Sequence, residues 1–303
     1  RLIRETQSWS PRVKTQPWQL ETGAYPFSIR FNPHYSHLDT ERHVNNVAVQ
    51  SFHTEARTRF HMAVLGDRAW YSDDVLLRPR RTVTHFLRET HYPHEVTAAV
   101  RLVAVEDDSY RLVQALFQNG ECVGVQECLM GAWGEAGWVA LPEAARRALA
   151  AEQVDGQPLL PWPELPEETE TFEPGPRQVA LTARYADLDP DRRLSELAQA
   201  RYLEQARAGS VTMLRQPNLG LLVARIDIRY QRWDTGMGEV ALSSELAGIG
   251  NSSFVLRGRA AVDGRPVAMA ESVMVLIDRD THRPTPVPDA LRAEMAVLQP
   301  PTA

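Results

Sequence analysis

The feature that most constrains this chain is that it carries one pattern twice. HLDTERHVNN begins at His37 and DLDPDRRLSE at Asp187, which sets Asp39 and Asp189 150 positions apart. The same offset carries Arg42 onto Arg192, Phe52 onto Tyr202, Ala56 onto Ala206 and Arg57 onto Arg207. Near the ends of the two stretches, VGVQECLM from Val123 matches VAMAESVM from Val267 at an offset of 144, the small slip that a gapped duplication leaves. An Asp, an Arg and an Ala-Arg pair falling in one register favour duplication over shared patterning alone. At 303 residues the chain has room for two domains. Its 43% apolar and 24% charged residues exclude a disordered or fibrous protein.

Each half reads alike. A strand-like stretch (FSIRF from Phe27, VALTARY from Val179) leads through an Asp- and Pro-containing turn into a helix. Val44, Ala48, Phe52, Ala56 and Phe60 recur every four residues as one apolar stripe, and Leu194, Ala198, Tyr202, Ala206 and Leu214 form its counterpart. Asn45 and Ser195 are both favoured N-cap types, and Gly66 is a helix stop. Four strand-like stretches follow, roughly 82–90, 95–105, 110–118 and 122–133 in the first half. In the second they are roughly 221–232, 239–248, 253–262 and 266–277. NGE at Asn119 and DGR at Asp263 are hairpin turns at matching places. The expected organisation is an N-terminal unit over 1–135, a connector over 136–176 and a C-terminal unit over 177–303. In the connector, 142–153 reads as a short surface helix, and Pro158, Pro161, Pro163, Pro166, Pro174 and Pro176 alternate with glutamates as a semi-rigid acidic spacer.

The charge balance excludes some functions. A net charge of −6 and a pI of about 5.9 argue against neutralising a nucleic-acid backbone. No run approaches the ~18 apolar residues that a membrane span needs. Cys122 and Cys128 cannot form a disulfide framework or, alone, a four-ligand zinc site, and read as core fillers. The opening RLIRETQSWS lacks the apolar core of a secretory signal, so a cytoplasmic protein is expected; with no Met in front, a trimmed leader stays open.

Reactive side chains are densest between Pro33 and Asn46: His34, His37, Asp39, Glu41, His43, Asn45 and Asn46. A helix capped at Asn45 presents N–H groups at Asn46 and Val47 and the positive end of its dipole. That geometry suits a carbonyl oxygen gaining negative charge. Asp39, six residues before the cap, can fold back to the same point as base or nucleophile. It can equally serve only the turn. His53 and His61 lie eight apart, too far to share an ion on one helix, so no metal is expected. Glu55 and Arg59 are spaced for a helical ion pair. The stretch RPRR, Arg78 to Arg81, with Arg88 nearby, either meets phosphates or is solvated loop.

DTERHVNNVAVQSFHTEAR resembles the motif that opens the central helix of hotdog-fold acyl thioesterases, Asp-x-x-x-His-Val-Asn-Asn before an aromatic-rich helix. RYADLDPDRRL resembles the Asp-x-Asp-Pro stretch of 4-hydroxybenzoyl-CoA-type thioesterases. The resemblance implies an α+β tandem (double) hotdog, each half a long central helix wrapped by about five antiparallel strands. It implies hydrolysis of acyl-CoA or acyl-carrier-protein thioesters without a metal or organic cofactor, with a homo-oligomer left open. Asp39 takes the place of the catalytic carboxylate, the Asn46 N–H that of the oxyanion donor, and His43 that of the motif histidine. Asn45 stands beside them, and Glu89 in FLRETHYPHEV matches a glutamate on the following strand. Arg78 and Arg81 would meet coenzyme A phosphates or a phosphopantetheine arm. Glu41 stands where the acyl-carrier-protein branch has Asn. In the second half Asp189 is kept, but His43 becomes Arg193 and Asn46 becomes Glu196. Two rival expectations remain: a non-catalytic acyl-CoA or acyl-carrier binder, and an enoyl-CoA hydratase, which the stretch Phe31-Asn32-Pro33-His34 resembles only loosely.

Overall fold

The computed structural model describes residues 15–69, 76–157, 171–212 and 216–300. Leu214, most of the proline-rich spacer and the opening residues lie outside them.

Each half runs strand, long helix, then four antiparallel strands. In the first half these are β1 (Phe27–Phe31), α1 (Asn46–Leu65), β2 (Leu76–Phe86), β3 (Val96–Val105), β4 (Ser109–Gln118) and β5 (Glu121–Gly134), with a short β6 (Gly137–Val139). Helix α2 (Glu143–Ala151) falls inside the stretch read as a surface helix. The second half repeats the order as β7 (Arg177–Thr182), α3 (Glu196–Val211), β8 (Leu219–Tyr230), β9 (Glu239–Ile249), β10 (Ser253–Val262) and β11 (Arg265–Asp278). A two-residue β12 (Arg283–Pro284) and α4 (Asp289–Met295) end the chain.

Local chemistry sets the punctuation. The Asn45 side chain accepts from Val47 N–H at 2.7 Å, and Ser195 Oγ accepts from Ala198 N–H at 3.0 Å, so both caps form. Gly66 closes α1 at φ 99°, its N–H donating to Met62. At the hairpins both central residues, Asn119-Gly120 and Asp263-Gly264, take positive φ, the twist that tight two-residue turns require.

The strands join in one sheet ordered β1-β3-β4-β5-β2-β8-β11-β10-β9-β7, so the second half repeats the first in mirrored sequence. The seam is an antiparallel β2–β8 pairing from Arg81↔Arg229 to His85↔Arg225. Helices α1 and α3 touch each other, each lying on its own half of the sheet. Alternation decides what they bury. Ala98, Val100, Leu102, Leu112 and Leu116 pack with Phe52, Ala56 and Phe60 of α1, whereas Ala99, Val113, Ala115 and Val125 meet Trp18 and Tyr25 on the other face. Tyr202, Leu203 and Ala206 of α3 pack on Ile226, Ile228 and Leu242, and α4 adds Leu291 and Met295 against Phe254 and Leu256. No described helix is long and apolar enough to cross a membrane.

Three placements depart from the sequence reading. The Arg78–Arg81 stretch is strand β2, not exposed loop. Its alternation puts Arg81 into the buried seam. Residues 87–90 lie outside the strand, which starts earlier because Leu76 and Leu77 pair with Trp133 and Ala132. Helix α4 is short, and its apolar residues sit too few to a turn for periodicity to reveal it.

Candidate active site

The turn before α1 is built from Asp39. Its N–H donates to the His43 carbonyl at 2.9 Å, and its Oδ1 accepts from Glu41 N–H at 2.9 Å and His43 N–H at 3.1 Å. Arg42 takes φ 68° between them. Val44 N–H then donates to the Thr90 carbonyl at 2.9 Å, and Asn45 N–H to the His37 carbonyl at 2.8 Å. The chain is thereby stitched to the segment that follows β2, just where α1 begins. Asn46 is the first helical residue, so its N–H has no acceptor a turn back in the helix. The amide of Val47, expected to be open beside it, is instead taken by the Asn45 cap.

His43 Nε2 lies 3.2 Å from Glu89 Oε2, and both side chains are partly exposed. Asp39, His43 and Glu89 thus stand together before the start of α1, Asp39 on the His43 backbone and Glu89 beside its imidazole. His91 Nε2 approaches the same Glu89 oxygen at 3.8 Å. Asn45 Nδ2 donates to Glu204 Oε1 at 2.9 Å, a link from the start of α1 to the middle of α3. Glu41, at the position where Asn was the pattern, is exposed and 3.5 Å from Arg279.

The second half repeats this turn and fills it differently. Asp189 Oδ1 accepts from Asp191 N–H at 2.9 Å and Arg193 N–H at 3.1 Å, Arg192 takes φ 61°, and Leu194 N–H donates to Thr235 at 2.8 Å. The matching backbone bonds put Asp234 where Glu89 stands, yet Arg193 donates to the Trp233 carbonyl and Asp234 pairs with Arg232 and Arg265. Arg78 Nη2 sits 2.7 Å from both Asp189 and Asp191. Glu196 is bonded to buried Arg57 of α1. A cleft of about 360 Å³ opens here, between the middle of α1 (Thr54, Arg57, His61) and the start of α3 (Ser195, Glu196), with Asp189 on its wall. Its charges are closed into ion pairs, and Asp39, His43 and Glu89 are not among its lining.

The arginines expected at phosphates are engaged inside the protein. Arg78 holds the Asp189 turn, and Arg81 clasps Asp227 of β8 through two bonds of 2.9 and 2.8 Å, with Asp227 fully buried. Opposing carboxylates hold both charges within the protein, at the Asp189 turn for Arg78 and across the seam for Arg81, with a register shift between Pro79 and Arg81. Exposed Arg88 pairs with Glu121 at 3.4 Å. His53 and His61 of α1 are buried, and burial together with the Arg57 charge pushes both down to about 3, so they are neutral; His61 Nε2 is bonded to the Tyr110 hydroxyl at 2.8 Å. Burial likewise pushes the Cys122 and Cys128 thiols up, to about 11 and about 12, far from nucleophilic. Glu55 and Arg59 form the helical ion pair at 2.8 Å.

Residues 185–295 match the thioesterase-like superfamily. This thioesterase-like segment is the half with the altered motif, while the intact HVNN stretch lies before it. Over 82% of its length the chain shares its fold with solved thioesterases at low identity. The 12:0-ACP thioesterase of Umbellularia californica superposes with a TM-score of 0.69 at 16% identity, over 82% of this chain and 93% of that one. The putative oleoyl thioesterase of Lactobacillus plantarum gives 0.65 at 15%, over 82% and 95%. An acyl-ACP thioesterase of Bacteroides thetaiotaomicron gives 0.61 at 13%, over 82% and 96%. No curated protein matches the chain in sequence. The thioesterase resemblance of the motifs is thus met by a superfamily match in one half and by a shared fold across both.

Sequence reasoning missed His91 and Glu204 at this site. His91 stands two residues after Glu89 in an extended segment, a spacing that puts two side chains on one side. Glu204 occupies the position of Thr54 in the repeat, and only the contact of α1 with α3 brings it to Asn45.

Proposed function

We propose that this chain is a tandem hotdog thioesterase that hydrolyses acyl-CoA or acyl-carrier-protein thioesters at the start of α1, with units over 1–135 and 177–303. The reading rests on one observation: Asp39 accepts from the backbone N–H of His43, whose imidazole stands 3.2 Å from the Glu89 carboxylate, beside the first turn of a capped helix. The thioester carbonyl approaches the Asn46 N–H, which with the helix dipole takes up charge on oxygen. The Asp39 carboxylate either draws the proton from an attacking water or attacks the carbonyl carbon itself, forming an anhydride that a water then hydrolyses to free acid and carboxylate. His43, oriented by Glu89, exchanges a proton with the water or the departing sulfur. The C–S bond breaks, sulfur leaves as thiol, and the acyl group leaves as acid. No cofactor is required, because sulfur conjugates weakly with the carbonyl and departs readily. The solved acyl-ACP thioesterases that share this fold support this substrate class.

The matching site in the second half is a relic. Asp189 is neutralised by Arg78, and Glu196 occupies the place of Asn46 with its carboxylate tied to Arg57. Thiol release from a panel of acyl-CoAs and acyl-carrier proteins, wild type against Asp39→Asn and His43→Ala, tests the proposal. Turnover that survives both substitutions overturns the site, whereas a wild type that binds acyl-CoA without releasing thiol is instead a non-catalytic acyl binder.

A further inference from the structure

We infer that His43, Glu89 and His91 form a site for a divalent transition-metal ion, Zn²⁺ being the best fit. One donor atom from each residue lies within 4.8 Å of the others. Two imidazoles and one carboxylate are a donor set that zinc takes, leaving a fourth position open to solvent. With ligand bonds of about 2.0–2.2 Å, tetrahedral donors stand about 3.3 Å apart. The His43–Glu89 separation of 3.2 Å already meets that, and the His91–Glu89 separation of 3.8 Å needs a shift of a few tenths of an ångström. His91 is half exposed and has the freedom to make it.

The backbones that carry the three donors are fixed before any ion arrives. Val44 N–H donates to the carbonyl of Thr90, which joins the residue after His43 to the residue between Glu89 and His91. Gln118 on β4 then clamps His91 from both sides, accepting from its N–H at 2.8 Å and donating to its carbonyl at 2.8 Å, with a further bond to the His94 carbonyl at 2.9 Å. Little ordering is left for the ion to impose, which raises affinity. The Glu89 carboxylate opposes its charge, and partial exposure gives it a route in.

An ion held here occupies the imidazole of His43. On the reading that His43 serves hydrolysis, the metal is an inhibitor. Calorimetric titration of the full, tag-free chain with ZnCl₂ is expected to show one ion per chain with micromolar or tighter affinity, and Co²⁺ is expected to give the visible bands of a low-coordinate site. His91→Ala is expected to weaken zinc at least tenfold, as is His91→Gln should the alanine variant fold poorly. In thiol-release assays, zinc inhibition of each variant, read against its own metal-free rate, moves to at least tenfold higher concentration. Absence of stoichiometric zinc, or zinc affinity unchanged in folded His91 variants, overturns the site. Turnover absent without zinc overturns the hydrolytic reading alone, since calorimetry reports binding either way.

Discussion

Asp39 and Asp189 accept the same pair of amide hydrogen bonds, from the residues two and four positions later, in turns that match bond for bond. What separates them is the second oxygen, which at Asp189 faces Arg78. The turn is therefore structural in both halves, and chemistry must be sought in what the carboxylate does beyond it. Asparagine retains an oxygen that can accept both amides. Asp39→Asn is expected to fold as the wild type and lose at least ~100-fold in thiol release, the scale of a lost general base. Asp189→Asn is expected to keep turnover within a few-fold and to lower stability, because part-buried Arg78 keeps only Asp191. Rates and urea midpoints of the two variants, measured together, check this.

Asn45 tests the link between the helices. Asn45→Ala removes the cap on Val47 and is expected to cost about 1 kcal/mol in denaturant unfolding. Asn45→Asp keeps the cap but sets a carboxylate against Glu204 in place of a donor. Its expected loss is on the order of 1 kcal/mol and shrinks as salt is raised, whereas the alanine variant is indifferent to salt.

Arg81 and Asp227 span the seam with almost no access to water. Removing one partner leaves a buried charge, so Arg81→Met is expected to cost about 3–5 kcal/mol. Arg81→Met with Asp227→Leu is expected to recover most of that loss. Urea unfolding of the single and double variants reads the difference.

Stability is expected to fall in mild acid. His53 and His61 are held near 3 when folded and return to about 6.5 when unfolded. Below 6.5 the unfolded chain takes up protons that the folded chain refuses, so stability is full above that pH and declines toward 3. The slope is about 1.4 kcal/mol per pH unit for each histidine. Melting curves between pH 7.5 and 5 are expected to show this decline, and His61→Gln, which can keep a partner for Tyr110, is expected to flatten it.

Much of the architecture was legible because it is local. Alternation located β3, β4, β9 and β10 to within a residue or so, the caps at Asn45 and Ser195 marked both helices, and two-residue turn signals marked Asn119 and Asp263. The repeat of Asp39 in Asp189 was visible as spacing. The closure of Arg81 onto Asp227, of Arg57 onto Glu196 and of Asn45 onto Glu204 was not, for each joins residues from opposite halves. Their meeting depends on the seam and on the contact of α1 with α3, which no window along one half contains. His91 escaped for a different reason: a histidine in a loop is common, and only Gln118 and the Thr90 carbonyl fix it beside Glu89.

The central ladder between β2 and β8 carries a consequence for either half alone. Each repeat alone would end in a bare row of amides and carbonyls along that strand, with Arg81 or Asp227 stranded on it. In such a fragment of the second half the buried Asp227 carboxylate would lack the Arg81 guanidinium beside it, so the ladder that joins the halves is also what makes that charge tolerable.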